Sequence, residues 1–395
     1  MNGRRRICVF TATRAEYGLL RWVMQDLKDD PSVELQVLVS GSHLSPQFGD
    51  TWKSLTEDGF DPILKVEMLL DSDSAVGAAT SMGLGVMKYA DALVSLRPHL
   101  VVVLGDRYEV LAMAAAATCM GVPIAHIHGG EATEGAIDDS LRNAVTALAH
   151  LHFPTAAEYA GRIRQMGVAP ERIFQVGAPA LDNLQRLALL DRDLLAVELG
   201  MDLNAPLLMV TYHPVSVNHD DPAGGIDVLL QALEHFPDTR ILLSGANQDA
   251  GGRAINARLE AFAARNPRHI RLVTSLGSRR YLSVLKHAAV VLGNSSSGII
   301  EAPACGTAVV NVGPRQNGRL RAASVIDCAE DAEAVITAIK RAMSDEFQAV
   351  AKLGQTPYGQ PGGCSVIAQT LATIPLDGLG IKKFHDLPGG IAWMS

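Results

Sequence analysis

The sequence predicts an α/β protein built as two Rossmann-like domains, and three observations carry the prediction. Short, wholly apolar runs recur along the 395 residues and stop abruptly at Gly or charged residues, as LVVVL at 100–104 stops at Gly105-Asp106-Arg107. Strands buried on both faces of a parallel sheet read this way. Segments of helical length, Ala-rich or amphipathic, lie between these runs, so strand and helix alternate. A charge-rich helical segment then separates two regions of the same rhythm, in a chain longer than one hydrophobic core usually serves. The expected division is a domain at 1–178, a helical junction at 179–204, a domain at 205–363, and a C-terminal helix and tail at 364–395.

Taken in order, 6–11 (RICVFT) is the first strand; it opens into a loop carrying Arg14 and then a helix over 19–28. A second strand at 33–39 ends in a Gly/Ser-rich turn with His43, a residue that loops usually leave facing solvent. Residues 71–96 read as a helix with small residues along much of its length, ended by Arg97-Pro98. A strand–helix–strand–helix unit follows: 100–104, an Ala-rich segment stopping at Gly121, 122–127, and an amphipathic pattern headed by Asp138 and Asp139. HLHFPT continues the pattern, with a helix near 156–166. In the second half, strands are expected at 207–212, 240–244, 270–274, 290–293 and 307–312. From 376 the chain reads as a loosely ordered tail.

In open parallel sheets, ligands bind at the carboxyl ends of the strands. Asp106, Arg107, His128, Glu131, Asp138, Asp139 and Arg142 all fall on that edge of the first domain. Any one of them is explained as a cap or a turn residue, for which Asp is favoured. Together at one edge they read as a site. In the second domain the strand ends supply His213, Asn247, Asp249, Ser295, Ser296 and Arg315. Asn294-Ser295-Ser296-Ser297-Gly298 joins a buried strand to a helix, so hydroxyls and unpaired N–H groups share one helix N-terminus, a ready anion site. Glu301, further along that helix, can accept two hydrogen bonds from a diol such as a ribose; a Ser-rich cap followed by an exposed Glu explains the same letters.

Bulk properties exclude several classes. With 34 basic against 42 acidic residues and no basic cluster beyond Arg4-Arg5-Arg6, the chain lacks a nucleic-acid surface. The longest uncharged run, 110–125, is shorter than the ~20 residues of a membrane span and is broken by Gly121 and Pro123. Five scattered cysteines without metal spacing suit reduced thiols in a cytoplasmic protein. Neither half has G-x-G-x-x-G after its first strand, so no nicotinamide or flavin cofactor is expected. A metal at His126-x-His128 with Glu131 lacks residues to complete it, and none is expected.

With both sets of strand-end residues in view, the chain resembles the hydrolysing UDP-N-acetylglucosamine 2-epimerases, which start the sialic, legionaminic and related nonulosonic acid pathways. The likeness spans about 6–375 and rests on TATRAEYG, GDRYEVLA, HIHGGE, AIDDSLR, HPV, NSSSGIIEA and GPRQNGR, in that order. It implies two facing Rossmann-like domains of the glycosyltransferase-B type, with the nucleotide sugar in the interdomain cleft. It implies that Arg14, Arg107, His213, Asn247, Ser295, Ser296, Glu301 and Arg315 hold the UDP part, and that Asp106 and Asp138 are catalytic carboxylates. It also implies a cytoplasmic homodimer or homotetramer. Ala15 and Arg107 separate the chain from the non-hydrolysing branch, which resembles it but carries Pro and Thr there. His128 occupies a position where animal and several bacterial members have Glu, so either His128 or a carboxylate, Glu131 or Asp138, is the C2 base. Asp139 and Arg142 are further substrate-binding candidates. The implied reaction turns UDP-N-acetylglucosamine, its 2,4-diacetamido-2,4,6-trideoxy analogue or a GDP-linked sugar into the free 2-epimer through a glycal. A glycosyltransferase of the same fold, or a non-hydrolysing epimerase, is the alternative.

Overall fold

The computed structural model describes residues 3–72, 74–134, 137–214, 224–246, 252–274 and 276–387. They form two units, one from residues up to Glu131, Ile137–Asp182 and the chain from Pro361, the other from Asn183–Gln360 with a short piece after Glu131. The first unit contains β1 (Arg5–Thr11), α1 (Arg14–Asp29), β2 (Val33–Ser40), α2 (Trp52–Glu57), β3 (Leu64–Val66), α3 (Ala75–Leu96), β4 (Leu100–Leu104), α4 (Tyr108–Cys119), β5 (Ile124–Ile127), α5 (Ile137–Leu148), β6 (Leu151–Phe153) and α6 (Ala157–Gln165). Its sheet is parallel throughout, in the order β3-β2-β1-β4-β5-β6. Alternation along β1 sends Ile7 and Val9 to one face and Cys8 and Phe10 to the other, where they join separate cores. Tyr17, Leu20 and Met24 of α1 cover the first face; Tyr89 of α3 and Val110 and Met113 of α4 cover the second.

The second unit holds α7 (Asp182–Arg186), which straddles the boundary, α8 (Arg192–Leu199), β7 (Leu207–Thr211), α9 (Gly224–Leu233), β8 (Arg240–Ser244), α10 (Gly252–Arg265), β9 (Ile270–Val273), α11 (Gly277–His287), β10 (Val290–Gly293), α12 (Ser296–Ala304), β11 (Ala308–Val312), β12 (Val325–Cys328), α13 (Ala332–Ala342) and α14 (Asp345–Ala351). Its sheet, also parallel, runs β12-β11-β10-β7-β8-β9. Counted from each unit's own first strand, both sheets have the order 3-2-1-4-5-6. In this topology the chain reverses direction between strands 1 and 4, and the gap between the two outgoing loops is the binding crevice. The loops after β1 and β4 flank that point in one unit, and those after β7 and β10 in the other.

Two strands, β3 and β12, are absent from the sequence reading. They have three and four residues, too few to show a period, and both are sheet edges with polar residues. The helix expected from 19 starts at Arg14, because Thr13 caps it by accepting the Glu16 N–H. Thr-x-x-Glu was the available signal.

After Gln360 the chain returns to the first unit. There α15 (Gly363–Thr373) places Cys364, Ile367 and Leu371 in the same core as Leu20 and Met24. Asp182 anchors its start by accepting the N–H groups of Gly362 and Cys364 at 3.2 and 3.4 Å. The segment from 376 is ordered against this unit as far as 387: Leu379 is buried, and the N–H of His385 bonds Gly167 O at 2.9 Å. No helix among the described residues is long and apolar enough to cross a membrane.

Candidate active site

In the first unit, Arg14 stands at the first position of α1, exposed, beside a tightly bonded turn. Glu16 is buried and accepts the Ala12 N–H at 2.7 Å. Burial pushes its carboxyl up to about 8, so at neutral pH it is largely the uncharged acid. His43 faces inward rather than to solvent, with Thr11 Oγ1 at 3.0 Å and Thr51 Oγ1 at 2.8 Å on its two nitrogens. Burial depresses it to about 4, which makes it a neutral bridge within the turn.

After β4, Arg107 precedes α4 and forms a fork on Glu109, with both nitrogen–oxygen distances 3.2 Å. Asp106 is held differently. Arg142, on α5, is the largest fully buried side chain and donates to Asp106 Oδ2. It also donates to Asp139 Oδ1 at 3.0 Å and to the Glu131 carbonyl at 3.1 Å. Arg142 thus sits beneath the edge, fixing two carboxylates and the loop between β5 and α5. Asp138 lies half-buried on the first turn of the same helix.

His128 ends β5 in a left-handed conformation, φ +68°, which a non-glycine residue adopts only at a cost. Gly130 follows at φ +74°, where a Cβ would come within 2.5 Å of Tyr159 O. This tight turn brings Glu131 back onto the imidazole: His128 Nδ1 lies 2.6 Å from Glu131 Oε1, which also accepts the Thr155 hydroxyl at 2.8 Å. The carboxylate on Nδ1 orients the proton there, and in the neutral imidazole the lone pair is then on Nε2. Nε2 is buried without a protein partner. His126, two residues earlier, points elsewhere, its Nε2 donating to Gly105 O at 2.8 Å, and burial lowers it to about 4. The two imidazoles therefore do not act as a pair.

In the second unit the hub is Asn294, after β10. Its Oδ1 accepts the His213 N–H at 2.8 Å and its Nδ2 donates to His213 O at 2.9 Å, copying a strand-like pairing that holds His213 just after β7. Its own carbonyl accepts Arg315 Nη1 at 3.1 Å and Gln316 Nε2 at 2.9 Å. Gly293 makes room for this: at φ +131°, a Cβ would meet Thr211 O at 2.0 Å. Ser295 caps α12 by accepting the Ser297 N–H, and Ser296 is its first residue, so the positive end of the helix lies at the crevice end of β10. Glu301, on the same helix, is pushed up to about 7 by burial. The residues brought to this edge are therefore His213, Ser295, Ser296, Glu301 and Arg315. Asn247 and Asp249 lie outside the described residues.

The profile of UDP-N-acetylglucosamine 2-epimerases matches residues 25–372. The chain belongs to the UDP-N-acetylglucosamine 2-epimerase family. Among its relatives, the GDP/UDP-N,N'-diacetylbacillosamine 2-epimerase (hydrolyzing) of Campylobacter jejuni is 36% identical over 97% of this chain and 100% of its own length. The UDP-N,N'-diacetylbacillosamine 2-epimerase (hydrolyzing) of Legionella pneumophila is 33% identical over 96% and 98%. The crystal structure of UDP-GlcNAc 2-epimerase from Neisseria meningitidis bound to UDP-GlcNAc shares the fold, with a TM-score of 0.79 at 16% identity, over 93% of this chain and 99% of that one.

Four residues that shape these strand-end edges, Glu16, Glu109, Thr155 and Asn294, are not singled out by the sequence as site residues. Only Glu16 had a local signature. The others act on partners 24 or 81 positions away, as with Thr155 to Glu131 and Asn294 to His213, or through a burial that no spacing encodes.

Proposed function

We propose that this chain is a hydrolysing nucleotide-sugar 2-epimerase whose substrate is UDP-linked 2,4-diacetamido-2,4,6-trideoxyglucose, the sugar named for its Campylobacter and Legionella relatives. The products are UDP and the free 2-epimer. The observation that carries the chemistry is the His128–Glu131 pair, whose open Nε2 belongs to one network with Arg142, Asp106 and Asp139.

C2–H of such a sugar becomes acidic only as the C1–O bond breaks, so the catalyst must stabilise the leaving diphosphate and place a modest base at C2. In this reading His128 Nε2 takes the C2 proton while the C1–O electron pair leaves with UDP, giving the glycal. Glu131, which holds Nδ1–H, stabilises the imidazolium so formed. Water then adds at C1 and a proton returns to C2 from the other face, with Asp106 and Asp138 steadying positive charge at C1 and moving those protons. Asp139 and Arg142 keep Asp106 in place. Arg14 and Arg107 of the first unit, and His213, Asn247, Ser295, Ser296 and Arg315 of the second, take the UDP phosphates and base, and Glu301 the ribose hydroxyls. The enzyme works in the cytoplasm as a homo-oligomer.

The test is incubation with each nucleotide sugar in deuterated water, with no acceptor, following UDP by chromatography and C2 by NMR. The expected result is UDP and free 2-epimer deuterated at C2, fastest with the diacetamido sugar. Release without inversion, or none without an acceptor, rejects the epimerase. His128→Asn should abolish exchange at C2, and exchange at the unmodified rate removes His128 from the base role.

A further inference from the structure

The helix α3 carries an apolar face that the chain itself does not cover. Tyr89, Leu93 and Leu96 enter the core against β1 and β4, yet Val76, Met87 and Val94 are 75%, 66% and 60% exposed. Thr80 and Gly83 are exposed between them and Ala90 is half-buried. From Val76 to Val94 these residues follow at steps of four, three, four, three and four, the heptad spacing of a seam between two helices. The seam carries no charge. Its one hydroxyl is already bonded within the helix, Thr80 Oγ1 donating to Val76 O at 2.8 Å.

Gly83 is the second observation. Glycine inside a helix is destabilising relative to alanine, so it belongs where something needs the room. At Gly85 the chain's own packing needs it, since a Cβ would lie 3.1 Å from the side chains of Met68 and Tyr89. At Gly83 a Cβ would meet nothing within 4 Å. The hollow it leaves opens outward, one turn from Met87.

The seam is also its own complement. Two copies of α3 running antiparallel about a two-fold axis level with Gly85 set Val76 opposite Val94, Thr80 opposite Ala90 and Gly83 opposite Met87, each pair occurring twice. Met87 is a flexible apolar knob for the hollow at Gly83. The same pairing brings the exposed Asp71, just before α3, towards the exposed Arg97 that ends α3 in the other copy, and it opposes the two helix dipoles. A parallel pairing would set Met87 on Met87 and Asp71 on Asp71.

We propose that the outer face of α3 is where two copies of this chain join, antiparallel, with Met87 of each seated over Gly83 of the other. This gives the homo-oligomer proposed above a face and a register, and it does not depend on the chemistry at His128.

The test uses the full chain with the exposed Cys119 replaced by serine in every variant. Val76→Cys and Val94→Cys in one chain stand about 27 Å apart along the helix, too far to join within it. A disulfide between them therefore forms only between copies. Mild oxidation should give a covalent dimer with the double variant and none with either single variant, read on a non-reducing gel. Met87→Glu, a change at an exposed position, should weaken self-association at least roughly tenfold in sedimentation at micromolar concentration. Covalent dimer from a single variant, none from the pair, or association that Met87→Glu leaves untouched overturns this arrangement while the oligomer stands. An unmodified chain that sediments as a monomer overturns both and leaves the face to a different partner.

Discussion

Arg142→Met tests whether the buried guanidinium positions the proposed catalytic carboxylates or touches substrate itself. Methionine keeps the aliphatic stem and removes every donor, leaving Asp106, Asp139 and the Glu131 carbonyl without the bonds Arg142 now makes. Removing one partner of a buried ion pair costs about 3–5 kcal/mol. Here the arginine side chain is 1% exposed but Asp106 and Asp139 are 26% and 34% exposed. Water therefore replaces part of what is lost, and about 2–3 kcal/mol is the expected cost. For a domain of this size that is a fall in Tm of roughly 4–12 °C. The kinetic effect should be larger. Asp106 sits on a loop whose side-chain orientation comes from Arg142, and a misplacement of about 1 Å costs on the order of 100-fold in turnover. Calorimetry gives the first number, and steady-state UDP release with the diacetamido nucleotide sugar gives the second. The expected pattern is a large loss in kcat with little change in KM, and Arg142→Lys should restore stability in part but not turnover, since one ammonium cannot reproduce the fork. A KM that rises with kcat intact refutes the positioning role and makes Arg142 a direct substrate contact.

Glu16 makes a pH prediction of definite sign. Its carboxyl is raised from 4.5 to about 8 by burial, so the folded protein binds a proton there that the unfolded chain has lost. Its contribution is fully present below pH 4.5 and is lost as pH rises towards 8. Glu16→Gln, which keeps an acceptor for the Ala12 N–H, should flatten the fall of Tm across that window; an identical Tm–pH curve in both proteins refutes the assignment. In the second unit, Asn294→Ala removes both amide bonds to His213 and should cost about 2–3 kcal/mol of stability. UDP binding by calorimetry should weaken by at least roughly tenfold, a change of ~1.4 kcal/mol, and unchanged affinity would show that the loop after β7 does not hold the nucleotide.

Much of the architecture was legible in the chain because parallel strands buried on both faces must be apolar throughout. Val101, Val102 and Val103 admit little else than a central strand, and β4 is fully buried. The ionisable residues were legible for the converse reason: charges that interrupt such strands can only sit at their ends, where Asp106, Arg107, His128 and Arg315 are found. The family likeness rested on these same positions. What the sequence by itself could not decide is how those groups are paired. That Glu131 turns back onto His128 depends on a left-handed residue and a glycine in one turn. That Arg142 lies under the edge rather than on it depends on how α5 packs. Asn294, one amide among serines, becomes the hub of the second unit only because Gly293 lets β10 pass against Thr211. The hold on the segment from 376 was invisible for a similar reason. It uses backbone carbonyls such as Gly167 O, and every residue has one, so no side-chain pattern records where they will be held.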